Sequence, residues 1–136
     1  MAIYIDANVF IFAAVSDDVR GNRAREIIDQ VISGEEEGVT SSLTIDEVTW
    51  KVFRETKDRE LAINEGLEIL EFSNLKVVAV DAQTIKRALH LMKKHNKIAP
   101  RDAIHLEVAL RSGCGEIVSD DADFDKINEI KRRSLE

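Results

Sequence analysis

The sequence predicts an α/β/α sandwich, with a central, mostly parallel sheet of four or five strands and helices on both faces. Three observations lead there. Short β-branched runs alternate along the chain with longer segments of helical periodicity, the order that βαβ units generate. No two-residue hairpin turn joins neighbouring runs, so successive strands are connected by crossovers rather than tight reversals. The first run, Ile3-Tyr4-Ile5, is apolar on both sides, as expected of a strand covered by helices above and below.

Taken in order, Ile3-Tyr4-Ile5 ends at Asp6, and Ala7 to Ala14 reads as a short helix. Asp17 and Asp18 precede a longer helix in which Ala24, Ile27, Ile28, Val31 and Ile32 form one apolar stripe. Gly34 supplies its left-handed stop. Val39 to Ser42 is the second strand. Thr44 opens a helix with Val48, Val52 and Phe53 on its inward face, and a helix from Asp58 to Phe72 carries Ile63, Leu67 and Leu70 on one stripe. Lys76 to Val80 is the third strand, since Val77, Val78 and Val80 are β-branched. Asp81 caps a helix with Ile85, Ala88, Leu89 and Met92 on one face, ending near Asn96. Pro100, at a favoured first helical position, opens the next helix, and Gly113 ends it. Glu116 to Ser119 is a fourth strand, and Ile127 to Arg132 is a last short strand or a helix. No repeat, low-complexity tract or Pro/Gly/Ser-rich linker divides the chain, so one domain over residues 1–136 is expected.

Composition narrows the setting. Cys114 is the one cysteine, which excludes an internal disulfide and suits a reducing compartment. The apolar start from Ala2 to Val15 is interrupted by Asp6 and Asn8 and lacks a preceding basic region, unlike a signal peptide. No run approaches the roughly 20 apolar residues that span a bilayer, so a cytoplasmic protein with no membrane partner is expected. The net charge of −7 argues against holding nucleic acid by bulk attraction. Such a substrate would need bound metal or the basic clusters Lys93-Lys94, Lys97 with Arg101, and Lys131-Arg132-Arg133. Taken singly, those clusters read as solvated faces and a charged tail.

In a parallel sheet, ligands bind at the carboxyl ends of the strands, and there this chain is repeatedly acidic. Asp6 follows the first strand, and Glu47 lies one turn into the helix after the second. Asp102 is in the first turn of the helix beginning at Pro100, and Asp120, Asp121 and Asp123 follow the fourth strand. Each has a simple structural explanation. Asp6 can cap a helix, Thr44 and Glu47 have capping-box spacing, Asp102 suits the helix macrodipole, and the last three can be turn residues. Together they imply more. Two ionised carboxylates about 4 Å apart at an effective dielectric of 20 repel by roughly 4 kcal/mol, so a pocket of them calls for a cation or for raised pKa values. Oxygen ligands without a nearby cysteine or histidine pair favour Mg2+ or Mn2+ over zinc.

Four segments carry a resemblance: Ile3-Tyr4-Ile5-Asp6-Ala7-Asn8-Val9-Phe10, Ser41-Ser42-Leu43-Thr44-Ile45-Asp46-Glu47-Val48, Pro100-Arg101-Asp102-Ala103-Ile104-His105 and Ile117-Val118-Ser119-Asp120-Asp121-Ala122-Asp123-Phe124. In this order they resemble the blocks of the PIN domain family over essentially the whole chain, and the small size resembles its VapC-type toxins. The resemblance implies a PIN-like fold and a Mg2+- or Mn2+-dependent ribonuclease that leaves a 5′-phosphate and a 3′-hydroxyl. It implies Asp6 and Asp102 as the firmest metal ligands, with Glu47 and Asp121 completing a catalytic, metal-binding quartet. Ser119 and Asn8 would support substrate or the ligands. The register assigns Asp121 as the fourth acid, with Asp123 as a weaker fifth and Asp120 as the fallback. The same resemblance implies an RNA substrate, a small antitoxin partner and a homodimer, its surface assigned to the helices from Thr44 to Phe72.

Other residues are set aside. His105, one turn beyond Asp102, reads as a packed or supporting histidine rather than a ligand. His90 and His95 fit a helix end where a cation is favoured. Nothing marks Cys114 as a nucleophile. Trp50 and Phe53 read as core or interface residues. Two rival functions remain: a non-catalytic PIN-like module that binds RNA or protein, and a phospho-acceptor receiver domain with Asp81 as acceptor. The second lacks the lysine expected after a fifth strand.

Overall fold

The computed structural model describes residues 1–136. Five strands form one parallel sheet: β1 (Ile3–Ile5), β2 (Gly38–Ser41), β3 (Leu75–Val78), β4 (Glu116–Val118) and β5 (Lys131–Arg133), in the order β3-β2-β1-β4-β5. Six helices connect them: α1 (Ala7–Val15), α2 (Val19–Ile32), α3 (Ser42–Thr56), α4 (Arg59–Glu71), α5 (Ala82–Lys94) and α6 (Pro100–Arg111). A 3-10 turn, Ala122–Lys126, precedes β5. No helix is long and apolar enough to cross a membrane.

Side-chain alternation along the strands builds the three layers. Ile3, Ile5 and Val118 enter one core with Val9 and Phe10 of α1, Ala24, Ile27 and Val31 of α2, Val48 and Val52 of α3 and Ile69 of α4. Their neighbours Tyr4, Val39 and Ile117 enter the other core, with Ala88 of α5 and Ala103, Leu106 and Ala109 of α6. Successive residues of a strand point to opposite faces, so a three-residue strand serves both cores. Each fully buried aliphatic side chain adds about 1.5–3 kcal/mol, which lets strands this short hold a sheet.

Several helix faces differ from their periodicity. Phe53 is 43% exposed, and on α4 the stripe Ile63, Leu67 and Leu70 is half-exposed while Ala62, Gly66 and Ile69 are buried. Small residues decide this packing: a Cβ on Gly66 would lie 2.6 Å from the Thr49 hydroxyl, so the smooth face of α4 is the one that approaches α3. On α5, Ile85 and Leu89 are exposed and Ala88 is buried, again the smaller side chain turned inward. Trp50 is 55% exposed and is not a core residue. Gly34 stops α2 at φ +87°, as expected. The last segment is a strand rather than a helix. Its arginines are not a solvated tail: Arg133 bonds Glu36 and Glu116, and Arg132 forks onto Asp125.

Connectivity fixes where a site belongs. From β1 the chain steps outward through β2 to β3, then α5 and α6 carry it across to β4 on the other side of β1. The strand order therefore reverses between β1 and β4, and the crevice at their carboxyl ends is the expected ligand position.

Candidate active site

Asp6 leaves β1 at this reversal. Its Oδ1 accepts the Ala7 N–H at 2.7 Å, so the helix-cap role is real. Its Oδ2 accepts the Ser119 hydroxyl at 2.6 Å and the Asn8 amide at 3.4 Å. Asn8 also donates to Ser119 Oγ at 3.2 Å and accepts the Asp120 N–H at 3.2 Å, while Ser119 Oγ accepts the Asp121 N–H at 3.0 Å. Asn8 and Ser119 thus lace the ends of β1 and β4 together around one carboxylate. Burial raises the Asp6 pKa; His105 and the Ser119 hydrogen bond oppose it, and Glu47 adds to it.

Glu47 does not form the capping box that its spacing with Thr44 suggests. The helix begins earlier, at Ser42, with Ser41 as N-cap, and Thr44 is buried with its hydroxyl 2.7 Å from that of Thr40. That leaves Glu47 available to the site. Its Oε1 lies 2.6 Å from His105 Nε2, whose other nitrogen is 2.7 Å from the Tyr4 hydroxyl. The same Nε2 is 3.5 Å from Asp6 Oδ1. His105 is 1% exposed. Burial works against charging it, but Tyr4, Asp6 and Glu47 outweigh burial and hold its pKa well above the usual histidine range.

Asp102 stands in the first turn of α6, where Pro100 at N1 sets the helix start. Its company is acidic. One carboxylate oxygen from each of Asp102, Asp121 and Asp123 lies within 4.8 Å of the others. The side-chain hydrogen bond that Asp102 makes is with another acid, Asp121. Burial first, then the charges of Asp121 and Asp6, push its pKa up to about 7. Opposite ligands of a Mg2+ octahedron are about 4.2 Å apart, so oxygens within 4.8 Å of one another could hold a small hard cation after a slight inward adjustment. The only histidine beside them already has both ring nitrogens engaged, and no cysteine is near, so the donor set is oxygen alone.

Asp120 turns elsewhere, onto the Arg20 guanidinium at 3.2 Å. Arg20 in turn lies over the Phe12 ring, 4.7 Å from its centroid. Asp81, the acceptor of the receiver alternative, is committed to the N-cap of α5, where Thr84 completes a capping box. Cys114 is buried, and desolvation lifts its thiol pKa to about 11, which leaves it unreactive. His105 is the packed, supporting histidine that the sequence suggested, though its link to Glu47 depends on tertiary packing. One partner at the site, Arg20, escapes sequence reasoning. Arg20 carries no local signal at all.

These features define an α/β protein with a carboxylate-lined crevice suited to a divalent cation. The model of the PIN domain matches residues 3–130, and the chain belongs to that family. Solved structures of similar fold include VapC20 of Mycobacterium tuberculosis, a sarcin-ricin loop cleaving toxin. It has 19% identity and a TM-score of 0.75, over 93% of this chain and 95% of that one. VapBC2 of Rickettsia felis, solved with a promoter DNA fragment, matches at 14% identity and TM-score 0.73, over 98% of both chains. DNA-bound VapBC of Salmonella typhimurium matches at 20% identity and TM-score 0.67, over 99% and 98%. No curated protein matches the chain in sequence.

Proposed function

We propose that the chain is a Mg2+- or Mn2+-dependent endoribonuclease that hydrolyses phosphodiester bonds in RNA, and that it acts as the toxin of a toxin–antitoxin pair. The observation that carries this reading is the Asp102 carboxylate, which has acids for neighbours, another acid as its side-chain hydrogen-bond partner and a pKa pushed up to about 7. That arrangement costs stability unless a cation fills it.

When bound, a divalent ion supplies a water that ionises near neutral pH and positive charge for the phosphate oxygens. Asp102 and Asp121, with Asp123 in the same group of oxygens, would hold it, and Asp6, whose charge reaches Asp102, is the further ligand that the family resemblance assigns. Glu47 keeps one oxygen on His105 and leaves the other to accept a proton or a ligand. Ser119 and Asn8 fix the rotamer of Asp6, and no side chain has to act as nucleophile.

A small antitoxin and a second copy of the chain are the partners this reading carries, in the cytoplasm. The fold shared with VapBC assemblies supports the first. The exposed apolar side chains on α3 and α4, among them Phe53, Ile63, Leu67 and Leu70, support a protein contact on that face. The test is cleavage of single-stranded RNA in Mg2+ or Mn2+, lost with a chelator and lost in Asp6→Asn. Cleavage that survives in Asp6→Asn would sink the reading. RNA binding without cleavage would favour the non-catalytic module instead.

A further inference from the structure

Two segments that bring the acids together also wall a second cavity. The loop from His95 to Ala99 runs into α6 and so to Asp102. The 3-10 turn Ala122–Lys126 follows Asp121 and carries Asp123. Between them lies an open pocket of about 230 Å³ lined by Lys94, Asn96, Lys97, Lys126 and Asp123, among others. Asp123 belongs to both places: its carboxylate is part of the acidic group, and it forms a wall of the basic pocket. The two sites therefore share an edge.

The charges in this pocket are organised. Glu129 takes Lys94 Nζ at 3.1 Å and His95 Nε2 at 3.0 Å, which fixes one wall. Lys126 Nζ is 3.4 Å from Asp123. Lys97 has no carboxylate partner in the chain. Favourable placement at a helix C-terminus accounts for Lys94. It does not account for Lys97, which stands in the loop beyond α5, or for Lys126, which comes from a different segment. Lys94 and Lys126 are each offset by a carboxylate and Lys97 is not, so the pocket keeps one uncompensated ammonium beside the acidic crevice, a small local reversal of sign on a chain of net charge −7. An RNA strand needs that reversal, since its phosphates are repelled by the protein as a whole.

We propose that this pocket is a phosphate subsite for single-stranded RNA. It would hold a backbone phosphate flanking the one at the acidic crevice, with Lys97 and Lys126 as its principal contacts and the Asn96 amide as an uncharged donor. The proposal rests on the ribonuclease reading for its substrate. It adds that binding is oriented: the strand leaves the crevice between α6 and the 3-10 turn. Contacts to phosphate fix register and carry no base preference, so this subsite sets affinity and strand path and leaves sequence choice to other residues.

The test compares the chain with the double variant Lys97→Ala/Lys126→Ala; both positions are exposed, so folding is retained. Lys76→Ala, an exposed lysine on β3, is the control for loss of one surface charge elsewhere, to be set against each single variant, Lys97→Ala and Lys126→Ala. Binding of a fluorescent single-stranded oligoribonucleotide is measured by anisotropy in an Asp6→Asn background, and cleavage kinetics with Asp6 intact. The expected result is a roughly tenfold weaker Kd and a salt slope shallower by about 1.4, since each phosphate neutralised on a single strand contributes about 0.7. KM should rise similarly with kcat held within about twofold, and Lys76→Ala should change neither. An unchanged Kd and slope in the double variant, or no oligonucleotide binding in the Asp6→Asn background, overturns the subsite. Failure of the nuclease reading is separate: if no RNA is cut in Mg2+ or Mn2+ yet the double variant loses binding, the subsite stands and the ribonuclease does not.

Discussion

His105 Nε2 and Glu47 Oε1 are 2.6 Å apart, a contact that ties the middle of α6 to the second turn of α3 beneath the carboxylates. With Tyr4 fixing Nδ1 at 2.7 Å, the ring has little freedom, and it orients Glu47 without being a ligand. If Glu47 serves the proposed metal site, a supporting partner of this kind is worth about 10–100-fold in metal affinity or activity. His105→Leu fills the space but leaves Tyr4 Oη and Glu47 Oε1 unpaired. Its Mn2+ affinity, read by titration calorimetry, should drop by about that factor, and His105→Gln, which keeps an N–H for Glu47, should recover part of it. Equal affinities in all three proteins would mean that the contact is only packing.

Asp102 gives a pH prediction for the metal-free protein. Its folded-state pKa is about 7 against the ordinary aspartate value of 3.8. Between those pH values the native chain keeps a proton that the unfolded chain has released, so native stability falls as pH rises through this window and levels off above it. Asp102→Asn removes the titration. The shift corresponds to about 2–3 kcal/mol between pH 5 and pH 8, which screening of this partly exposed group cuts to roughly half. With a chelator present, the thermal midpoint of the natural sequence should therefore fall relative to Asp102→Asn by roughly 3–8 °C. Added Mn2+ should raise the natural midpoint more at pH 8 than at pH 5, because ion and proton compete for the same oxygens. A midpoint difference that ignores pH would show that Asp102 is an ordinary exposed acid.

What the sequence disclosed follows from which signals are local. Strand alternation, the Gly34 stop and Pro100 at a helix start are set within a few residues, and the parallel sheet follows from them. The acids after β1 and β4 were legible because both segments end at the same sheet edge. The outward-facing stripes of α4 and α5 were not, since periodicity marks an apolar face without saying which neighbour it meets. Gly66 and Ala88 chose the inward side by allowing close approach. Glu47 was legible as an acid and ambiguous as a cap. The helix starts at Ser42 with Ser41 as N-cap, and the hydroxyl of Thr44 turns to Thr40 of β2, so Thr44 is not a cap.

The three aspartates after β4 separate by their partners, and that separation predicts unequal losses. Asp121 faces Asp102, whereas Asp120 is held by Arg20 at 3.2 Å. Asp121→Asn should lower kcat for RNA cleavage on the order of 10²–10³-fold, the range for removing one preorganised charged or polar group. Asp120→Asn loses a half-exposed ion pair worth about 0.5 kcal/mol in stability and should change kcat by less than about threefold. Asp123→Asn should fall between them. If Asp120→Asn proves the most damaging of the three, the Arg20 pair opens in solution and the fourth acid has been misassigned.

Arg133 extends this logic to the edge of the sheet. Its guanidinium holds Glu36 through two bonds of 2.9 Å and Glu116 Oε1 at 2.7 Å, while its carbonyl accepts the Ser119 N–H at 3.1 Å. The neighbouring Arg132 bonds the Ser119 carbonyl at 3.0 Å. The peptide groups around Ser119 are therefore clamped by β5, and Ser119 in turn orients Asp6. Arg133→Met should cost about 1–2 kcal/mol at pH 7, since the forked pairing is stronger than a simple surface ion pair but remains partly solvated. The sign with pH is opposite to that of Asp102. The Arg133 hydrogen bond lowers the Glu116 pKa below its usual 4.5, so the contribution is complete above about 4.5 and is lost as pH falls through the depressed value. Denaturant midpoints of the two proteins should therefore differ at pH 7 and converge toward pH 3. A gap that persists undiminished at pH 3 would assign the cost to the packing of the arginine stem instead of to its charge.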